Sequence, residues 1–368
     1  MNDCSVLVPA IGLGLFCLRL LPWRTLRSAA NKPTPAPTSW PRVSIVVPAR
    51  NEEHNIPLLL RSLAHLDYPN YEVVVVDDRS TDRTAAVIAE FGEFADSANV
   101  RMVAGVERPT DIRWGGKQWA CVQGAAAATG DLLLFTDADT VHEPDSLRRA
   151  VAAIQASGAG LLSCLPFHEN PQLWERLLGP FQLLILALTA PFAPPKPGRV
   201  FVIGQYLLFS REAYEQIGGH SAVASDFAED LPLANRALRL GLGVEVYRGA
   251  PLFRVRMYAS LGEFIKGWRR NFRSGFIYAS PLAGLDATLM IVGITGGVQF
   301  CPKALAIMLL AGLFTSWRQR AIGRFQMIGA FLWPLSLGLF CWATLLAIWD
   351  LVFKREMIWK GRSYSPSP

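Results

Sequence analysis

Three short apolar runs, each followed at once by polar or acidic residues, constrain the fold of this chain more than any other feature. They read SIVVPARNEE, YEVVVVDDRSTDRT and LLLFTDADT. The first two lead into segments with helical character, so the order strand, helix, strand predicts a buried, mainly parallel sheet. Such sheets bind ligands beyond the carboxyl ends of their strands, where we expect Pro48 to Glu52, Asp77 to Asp78 and Asp137 to Asp139 to lie together.

The third run places two carboxylates close to one another. Side chains alternate between the faces of a strand, so Asp137 and Asp139 share one face. Carboxylate oxygens suit Mg²⁺ or Mn²⁺, and such a cation can neutralise the charge that develops on a departing diphosphate. An Asp-x-Asp also occurs in ordinary surface turns, so the motif predicts a sugar-nucleotide site only together with the other strand ends.

A dinucleotide-binding domain has the same order of strands and helices. Its first strand leads into Gly-x-Gly-x-x-Gly, because the backbone must approach the pyrophosphate closely. This chain has PARNEE at that place, which argues against an NAD enzyme. The five histidines show no metal-ligand spacing, so a zinc site is not expected either.

Two further polar features precede predicted helices. Lys117 stands in a Gly-Gly-Lys turn, where a lysine can meet a phosphate beside helix N–H groups or can remain a solvated loop residue. Glu229 and Asp230 precede the amphipathic segment LPLANRALRLG. Carboxylates favour a helix start through the helix dipole, but sugar transfer also needs a base for the acceptor proton, and Asp230 is our choice for that base.

Taken in order, these motifs resemble family 2 of the inverting glycosyltransferases, over roughly Arg42 to Phe276. The resemblance implies an α/β, A-type nucleotide-diphospho-sugar transferase fold, with a mixed, mainly parallel sheet flanked by helices. It also implies a divalent cation, Mg²⁺ or Mn²⁺, bound by Asp139, and Asp230 as the catalytic base. The residues predicted to bind the donor are Pro48, Ala49, Asn51, Glu52, Asp77, Asp78, Lys117, Asp137, Trp268, Arg269 and Arg270.

The segment FIKGWRRNFRSG departs from the family pattern. Processive polysaccharide synthases carry Gln-x-x-Arg-Trp, whereas Phe264 and Gly267 stand at the Gln and Arg positions here and only Trp268 agrees. This argues against a processive synthase. Trp268, Arg269 and Arg270 can still close over the donor, because Arg pairs with phosphate and a Trp face stacks on a sugar; a basic helix face beside a membrane is the alternative.

Apolar segments at both ends predict a multi-pass protein of the inner cell membrane, with its catalytic domain in the cytoplasm. The first apolar run, Ser5 to Leu21, is interrupted by Arg19, which can snorkel, and is followed by basic residues, as in a signal anchor. The predicted segments are an anchor at 1–28, a stiff Pro-rich linker at 29–41, the catalytic domain at 42–280, two or three spans within 281–353 and a basic tail at 354–368.

Another apolar run, the cysteines and the net charge bear on the partners of the protein. Leu177 to Pro195 is short and bounded by prolines, so we expect an interfacial or acceptor-channel helix, with a buried strand or core helix as the alternative.

The six cysteines show no paired spacing and are expected to be reduced thiols. The net charge of +6 suits an anionic membrane and an anionic donor, and no basic and aromatic array points to nucleic acid.

Several motifs carry a closer resemblance. GKQWACVQG, FTDADTVHEPDSLRRAV, GQYLLFSREAYEQIGGH and RMYASLGEFIKGW are similar to carotenoid-acid glycosyltransferases of the 4,4'-diaponeurosporenoate type, with hopanoid-associated enzymes next. The resemblance implies transfer of one sugar, with UDP-glucose as donor, to a membrane lipid such as a carotenoid or another isoprenoid. The alternatives are a processive polysaccharide synthase and a non-catalytic membrane scaffold that binds sugar nucleotides.

Overall fold

The chain forms two compact units. The computed structural model describes residues 6–21, 40–94, 99–110, 113–226, 228–248, 252–278, 283–295, 301–353, 357–359 and 362–364. The sheet unit comprises Arg24–Phe167, Pro194–Val255 and Glu356–Pro368, and the helical unit comprises Met1–Trp23, His168–Ala193 and Arg256–Arg355. The predicted linker and basic tail fall largely outside the described residues.

Strands and helices alternate through the first half of the chain, and helices predominate after the tenth strand. The strands are β1 (Val43–Ala49), β2 (Tyr71–Asp77), β3 (Val100–Ala104), β4 (Leu132–Thr136), β5 (Thr140–His142), β6 (Leu161–Leu165), β7 (Phe167–His168), β8 (Tyr206–Ser210), β9 (Val244–Arg248), β10 (Phe253–Val255), β11 (Met357–Trp359) and β12 (Arg362–Tyr364). The α-helices are α1 (Leu7–Leu20), α2 (Ile56–Ala64), α3 (Thr84–Phe94), α4 (Gly116–Ala127), α5 (Ser146–Ser157), α6 (Leu173–Arg176), α7 (Gly179–Thr189), α8 (Arg211–Gln216), α9 (Asp230–Arg239), α10 (Leu261–Tyr278), α11 (Ala283–Thr295), α12 (Pro302–Gln319) and α13 (Trp333–Phe353). Short 3₁₀ helices cover Gly219–Val223 and Met327–Phe331.

The sheet unit is built on a seven-stranded sheet with the order β3–β2–β1–β4–β8–β6–β9. Neighbouring strands are parallel except at β8, which runs antiparallel to both β4 and β6. The predicted mixed, mainly parallel sheet is therefore confirmed. Its central strands are rich in Val, Ile and Leu and are buried, as expected of a sheet that helices cover on both faces.

Parallel pairing aligns the carboxyl ends of the strands that carry the motifs. Ala49 at the end of β1 is paired with Asp77 at the end of β2, and β4 is paired with the other side of β1. Helix α4 packs on β1 and β2 at Gly124, where a Cβ atom would overlap Val46. Because position 124 lacks a side chain, α4 lies close to the sheet, and its first turn brings Lys117 to this edge.

At the amino ends of the strands, Glu72 is the centre of a buried hydrogen-bond network. Its Oε1 accepts from Ser44 Oγ at 2.6 Å and from both the backbone N and the Oγ1 of Thr129 at 2.7 Å. Its Oε2 lies 3.2 Å from Arg101 Nη2. Burial alone would raise the pKa of Glu72, but these hydrogen bonds and the charge of Arg101 outweigh it and lower the pKa to about 2.

In the helical unit, α1 packs against α11 in an antiparallel register. Gly12 faces Gly293, and Arg19 Nη2 lies 2.6 Å from Asp286 Oδ2. The two contacts are seven residues apart on each helix and so lie on one helix face. The glycines let the two backbones approach closely, and Arg19, for which we expected snorkelling, is instead paired with a carboxylate.

Helix α7 corrects the interpretation of the run Leu177 to Pro195. Its Phe181, Leu183 and Leu184 are at most 1 % exposed and belong to two apolar clusters of the helical unit. A helix whose apolar side chains are buried around most of its circumference is a core helix. The expected interfacial or acceptor-channel helix is therefore wrong, and the core-helix alternative is correct.

Among the described helices, only α13, with 21 residues, combines the length and the apolar composition that a membrane span requires. Helix α1 has 14 residues, so it is about 21 Å long against a hydrocarbon core of about 30 Å. The described part of the chain therefore does not support the expected N-terminal span or the multi-pass arrangement.

One cysteine also departs from expectation. Cys301, at the start of α12, is disulfide-bonded rather than a reduced thiol. Four others are free, namely Cys17, Cys121, Cys164 and Cys341.

Glu72→Gln is expected to destabilise the protein, because the amide keeps the shape of the side chain but loses the charge-assisted hydrogen bonds. We expect a loss of about 1–3 kcal/mol in the free energy of unfolding at pH 7, measured by chemical denaturation. The folded pKa of Glu72 lies below its ordinary value of 4.5, so its contribution is present above pH 4.5 and is lost as the pH falls towards 2.

The matched control is Glu90→Gln, because Glu90 forms an exposed ion pair with Arg83. This control should change the free energy of unfolding by less than about 0.5 kcal/mol. If Glu72→Gln matches the control, the network around Glu72 does not stabilise the fold.

Candidate active site

Two loops converge beyond the ends of β1 and β2. Asn51 and Arg79 both have positive φ, 53° and 59°, which turns each loop sharply after its strand. Asn51 N donates to Ser80 Oγ at 3.0 Å, and Asn51 Oδ1 accepts from Thr81 N at 2.8 Å. The Asn51 amide therefore ties the first loop to the second.

Other residues predicted for donor recognition lie in these two loops or at the strand ends that lead into them. The pair Pro48–Ala49 ends β1, and the backbone N of Glu52 donates to Thr84 Oγ1 at 2.8 Å. Asp77 ends β2, its buried Oδ1 has no hydrogen-bond partner among the described residues, and Asp78 beside it is buried. A buried acceptor of this kind is costly unless a ligand donates to it. The structure brings these residues together, and their role in nucleoside binding stays a prediction.

Two threonines and a histidine hold the turn between Asp137 and Asp139. Thr140 N and Thr140 Oγ1 both donate to Asp137 O, at 3.3 and 2.8 Å. The hydroxyl oxygens of Thr136 and Thr140 lie 3.1 Å apart, and His142 Nε2 lies 3.1 and 3.2 Å from them. We did not predict this network, although the threonines that flank the motif in TDADT were a readable signal.

Asp139 has surroundings that favour a cation. Its Oδ1 is shielded from solvent and has no hydrogen-bond partner in the part of the chain that the structure describes. Burial, and then the charges of Asp137 and Glu52, raises the pKa of Asp139 to about 7. Within the described residues, no set of three His, Cys, Asp or Glu side chains is arranged to hold a metal ion. Binding of Mg²⁺ or Mn²⁺ by Asp139 stays a prediction, and it requires further ligands, such as the diphosphate oxygens with which proteins commonly hold Mg²⁺.

Lys117 lies between two carboxylates. Its Nζ is 2.7 Å from Asp137 Oδ1 and 2.7 Å from Glu229 Oε1, and it donates to Gly204 O at 3.5 Å. The side chain is only 22 % exposed, so the alternative of a solvated loop residue is wrong. Burial would lower the pKa of Lys117, but the two carboxylates outweigh it and raise the pKa, so the ammonium stays charged. Contact between Lys117 and a donor phosphate stays a prediction.

Asp230, the first residue of α9, is held by two backbone amides. Its Oδ2 accepts from Gly204 N at 2.9 Å, and its Oδ1 accepts from Leu231 N at 2.9 Å. Burial, and then the charge of Glu229, raises the pKa of Asp230 to about 7, although Lys117 opposes the shift. A carboxyl group with a pKa near neutrality can take up a proton during a reaction, as a general base must. The catalytic role of Asp230 stays a prediction.

Three residues predicted to bind the donor lie on α10 in the helical unit. The Trp268 ring packs on Phe181 with ring centroids 4.9 Å apart, and Arg269 forms a bidentate ion pair with Asp350. These contacts give Trp268 and Arg269 structural roles within the helical unit. The donor-binding role of Trp268, Arg269 and Arg270 stays a prediction.

Gly204 is a site residue that the sequence analysis missed. It precedes β8, whose reversed direction places its starting residues at the same edge of the sheet as the end of β4. The contact between Gly204 and Asp230 joins residues 26 positions apart. No local pattern predicts such a contact, because it depends on how β8 and α9 pack.

Asp139→Asn is expected to stabilise the cation-free protein, because it removes a buried charge that lies among like charges. The folded pKa of Asp139 lies above its ordinary value of 3.8, so ionisation opposes folding increasingly between pH 3.8 and about 7. In EDTA at pH 8, the midpoint of thermal unfolding should rise by at least about 2 °C, and at pH 4 the difference should vanish.

Mn²⁺ added together with UDP should raise the unfolding midpoint of the wild-type protein more than that of Asp139→Asn. If the variant unfolds at a lower temperature than the wild type in EDTA, a folded-state partner stabilises the Asp139 carboxylate, and ionisation of Asp139 does not oppose folding.

Comparisons with known proteins show the family and the fold of the chain. The family described as Glycosyl transferase family 2 matches residues 44–218, and that described as Glycosyl transferase family group 2 matches residues 132–353, more than half of the chain. A 4,4'-diaponeurosporenoate glycosyltransferase of Staphylococcus aureus (strain USA300) is 28 % identical over 342 residues, which cover 88 % of each chain. The protein of the same name from strain MRSA252 is 29 % identical over the same length.

Among solved structures, the fold is similar to that of the mannosyltransferase PcManGT from Pyrobaculum calidifontis, solved in complex with GDP-Man and Mn²⁺. The TM-score is 0.59 at 21 % identity, over 93 % of this chain and 97 % of that one. The similarity establishes the A-type glycosyltransferase fold. Together with the family matches, it shows that the chain belongs to the family 2 glycosyltransferases and is a hexosyltransferase.

Proposed function

We propose that the protein transfers one glucose from UDP-glucose to a hydroxyl group of a membrane lipid, with inversion at the anomeric carbon. The main support is the pairing of Lys117 with both Asp137 and Glu229. This pairing holds a carboxylate of the donor side close to the acidic pair of the acceptor side. A single displacement needs a leaving-group side and a base side around one anomeric carbon.

In this proposal each group has a separate role. The loops after β1 and β2 bind the nucleoside, Asp137 and Lys117 lie on the diphosphate side, and Asp139 binds Mg²⁺ or Mn²⁺. The cation supplies neutralisation of the charge on the leaving diphosphate. Asp230 accepts the proton of the acceptor hydroxyl while the hydroxyl oxygen bonds to the anomeric carbon. The bond between that carbon and the diphosphate oxygen breaks, and the diphosphate leaves with its electron pair.

The acceptor class rests on the relatives and on Asp230. The S. aureus relatives are named for 4,4'-diaponeurosporenoate, and we extend their class of acceptor, a carotenoid or another isoprenoid lipid, to this chain. Within that class Asp230 favours a hydroxyl acceptor, because a carboxylate acceptor has no proton for a base to remove.

Exposed apolar side chains of the helical unit support attachment to a membrane. On α12, Leu305, Leu309, Leu313 and Trp317 follow at four-residue intervals and are each more than half exposed. Such a spacing forms one apolar helix face. We propose that this face lies in the bilayer interface of the inner membrane, that α13 anchors the chain, and that the catalytic site is cytoplasmic.

The packing at Gly267 supports a single transfer rather than a processive one. A Cβ atom at this position would overlap the ring of Tyr258. The arginine that polysaccharide synthases carry there therefore does not fit this contact without moving Tyr258.

Membranes that contain the protein should convert labelled UDP-glucose and a total lipid extract into a lipid with one hexose, detected by mass spectrometry. The linkage should withstand mild alkali, as a glycoside does and an ester does not. Asp230→Asn should lower turnover at least about 100-fold with the donor Kd within about threefold, because the amide fills the same space but is no base.

The matched control is Asp67→Asn, because Asp67 forms an ion pair with Arg148 and is 65 % exposed. It should turn over like the wild type, and the activity should stay with the membranes after a high-salt wash. A long polymer as product would contradict the transfer of a single sugar. Activity in the soluble fraction would contradict attachment to the membrane, and an active Asp230→Asn variant would contradict the role of Asp230 as the base. No labelled product with any donor would favour the scaffold.

The turnover rate is expected to rise with pH and to level off above about pH 7. Asp230 must be ionised to accept a proton, and its pKa is raised to about 7. Because the charge of Glu229 contributes to that increase, Glu229→Gln should move the midpoint of the pH profile to lower pH. The profile is measured with donor, cation and acceptor at saturation, and an unchanged midpoint would mean that another group controls it.

A further inference from the structure

We propose that Lys117 and Gly204 position the carboxylate of Asp230 for the transfer step. Lys117 acts through Glu229, and Gly204 acts through its backbone amide. The inference rests on the function proposed above, in which Asp230 is the base. It makes Lys117 and Gly204 positioning residues that connect the donor side of the site to the acceptor side.

Lys117 fixes the start of α9 through an ion pair. Glu229 is the residue immediately before α9, its side chain is only 6 % exposed, and its Oε1 lies 2.7 Å from Lys117 Nζ. A carboxylate this well buried requires a counter-charge, and Lys117 supplies one. Because Asp230 follows Glu229 directly in the chain, a displacement of Glu229 moves the first turn of α9 and the base with it.

Gly204 contacts both ends of this arrangement with its backbone. Its N donates to Asp230 Oδ2 at 2.9 Å, and its O accepts from Lys117 Nζ at 3.5 Å. A Cβ atom at position 204 would lie 2.9 Å from Glu229 Oε1, 3.0 Å from Lys117 Nζ and 3.6 Å from Asp230 Oδ2. One added methyl group would therefore push against both atoms of the Lys117–Glu229 ion pair and touch the base at an ordinary contact distance, while every charged group remains present.

The approach to β8 is also tied to the turn that carries the donor-side carboxylates. Thr136 Oγ1 donates to Gln205 O at 2.9 Å, and Thr136 is the residue before Asp137. The segment Gly204 to Gln205 is thus fixed on one side by the end of β4 and contacts the start of α9 on the other. We therefore expect that a displacement of Thr136, beside the donor-side Asp137, also displaces Gly204 and through it Asp230.

Gly204→Ala tests the backbone contact, and Gly92→Ala is its matched control. Gly92 lies in α3, and a Cβ atom there would meet none of the described atoms within 4 Å. We expect Gly204→Ala to lower kcat at least about tenfold, because small displacements of a catalytic group are costly, with the KM and Kd of the donor within about threefold. Gly92→Ala should keep all three values. A Gly204→Ala enzyme with unchanged kcat, or with a defect in donor KM alone, would overturn the inference.

Lys117→Met tests the ion pair, because methionine keeps much of the side-chain length without the charge. It should lower kcat at least about tenfold in addition to any increase in the donor KM, whereas a lysine that only binds diphosphate would raise the KM and spare kcat. In EDTA, Lys117→Met should lower the midpoint of thermal unfolding, and the double variant with Glu229→Gln should recover part of the loss. Independent, additive effects of the two substitutions on the midpoint would contradict the coupling.

The two proposals fail in different ways. A wild-type protein that forms no glycosylated lipid overturns the proposed function. The unfolding measurements need no substrate, so they test the coupling of Lys117 to Glu229 in either case. An active wild type together with an unaffected Gly204→Ala variant overturns only the positioning role.

Discussion

The ammonium group of Lys117 governs the charge balance of a sheet edge crowded with carboxylates. One fixed cation pairs with Asp137 and Glu229, and so leaves Asp139 and Asp230 as the two carboxyl groups whose pKa values are both raised to about 7. The pairing divides the acidic groups into two that form an ion pair with Lys117 and two that do not, and the second two are the groups that we propose bind the cation and accept the proton. Without a charge at Lys117, four carboxylates would repel one another in surroundings that shield charge poorly.

The topology of the sheet explains how residues far apart in sequence reach this balance. Parallel strands deliver their carboxyl ends to one edge, which brings Asp77 and Asp137 there. The reversed strand β8 delivers its amino end to the same edge, so the backbone of Gly204 arrives beside side chains from β4 and α9. If β8 were parallel to its neighbours, the residues immediately before it, including Gly204, would lie at the opposite edge of the sheet. The antiparallel strand thus supplies backbone hydrogen-bond groups where the parallel strands supply carboxylates.

The sequence predicted the features that repeat locally and missed those that depend on packing. Strand ends and their acidic residues were readable because apolar runs and the alternation of side chains are local patterns. The partners of Lys117 were not, since they come from segments about 20 and 110 residues away, as the numbers of Asp137 and Glu229 show. Apolar composition also cannot separate a helix that faces lipid from one that faces protein, which is why α7 was misassigned. The ion pair of Arg19 was likewise not predicted, because its partner Asp286 lies 267 residues away in the sequence. Without a known partner, Arg19 was expected to extend towards water.

The register between α1 and α11 affects the order in which the chain can mature during synthesis. Helix α1 is synthesised before the sheet, but the residues that complete its packing, Asp286 and Gly293, are synthesised after all the strands of the sheet. All strands of the seven-stranded sheet lie between Val43 and Arg248, so they are available much earlier. Domains fold as their segments are synthesised, so the sheet can assemble while α1 still lacks its packing partner α11. Packing of α1 in the helical unit therefore follows synthesis of the whole seven-stranded sheet.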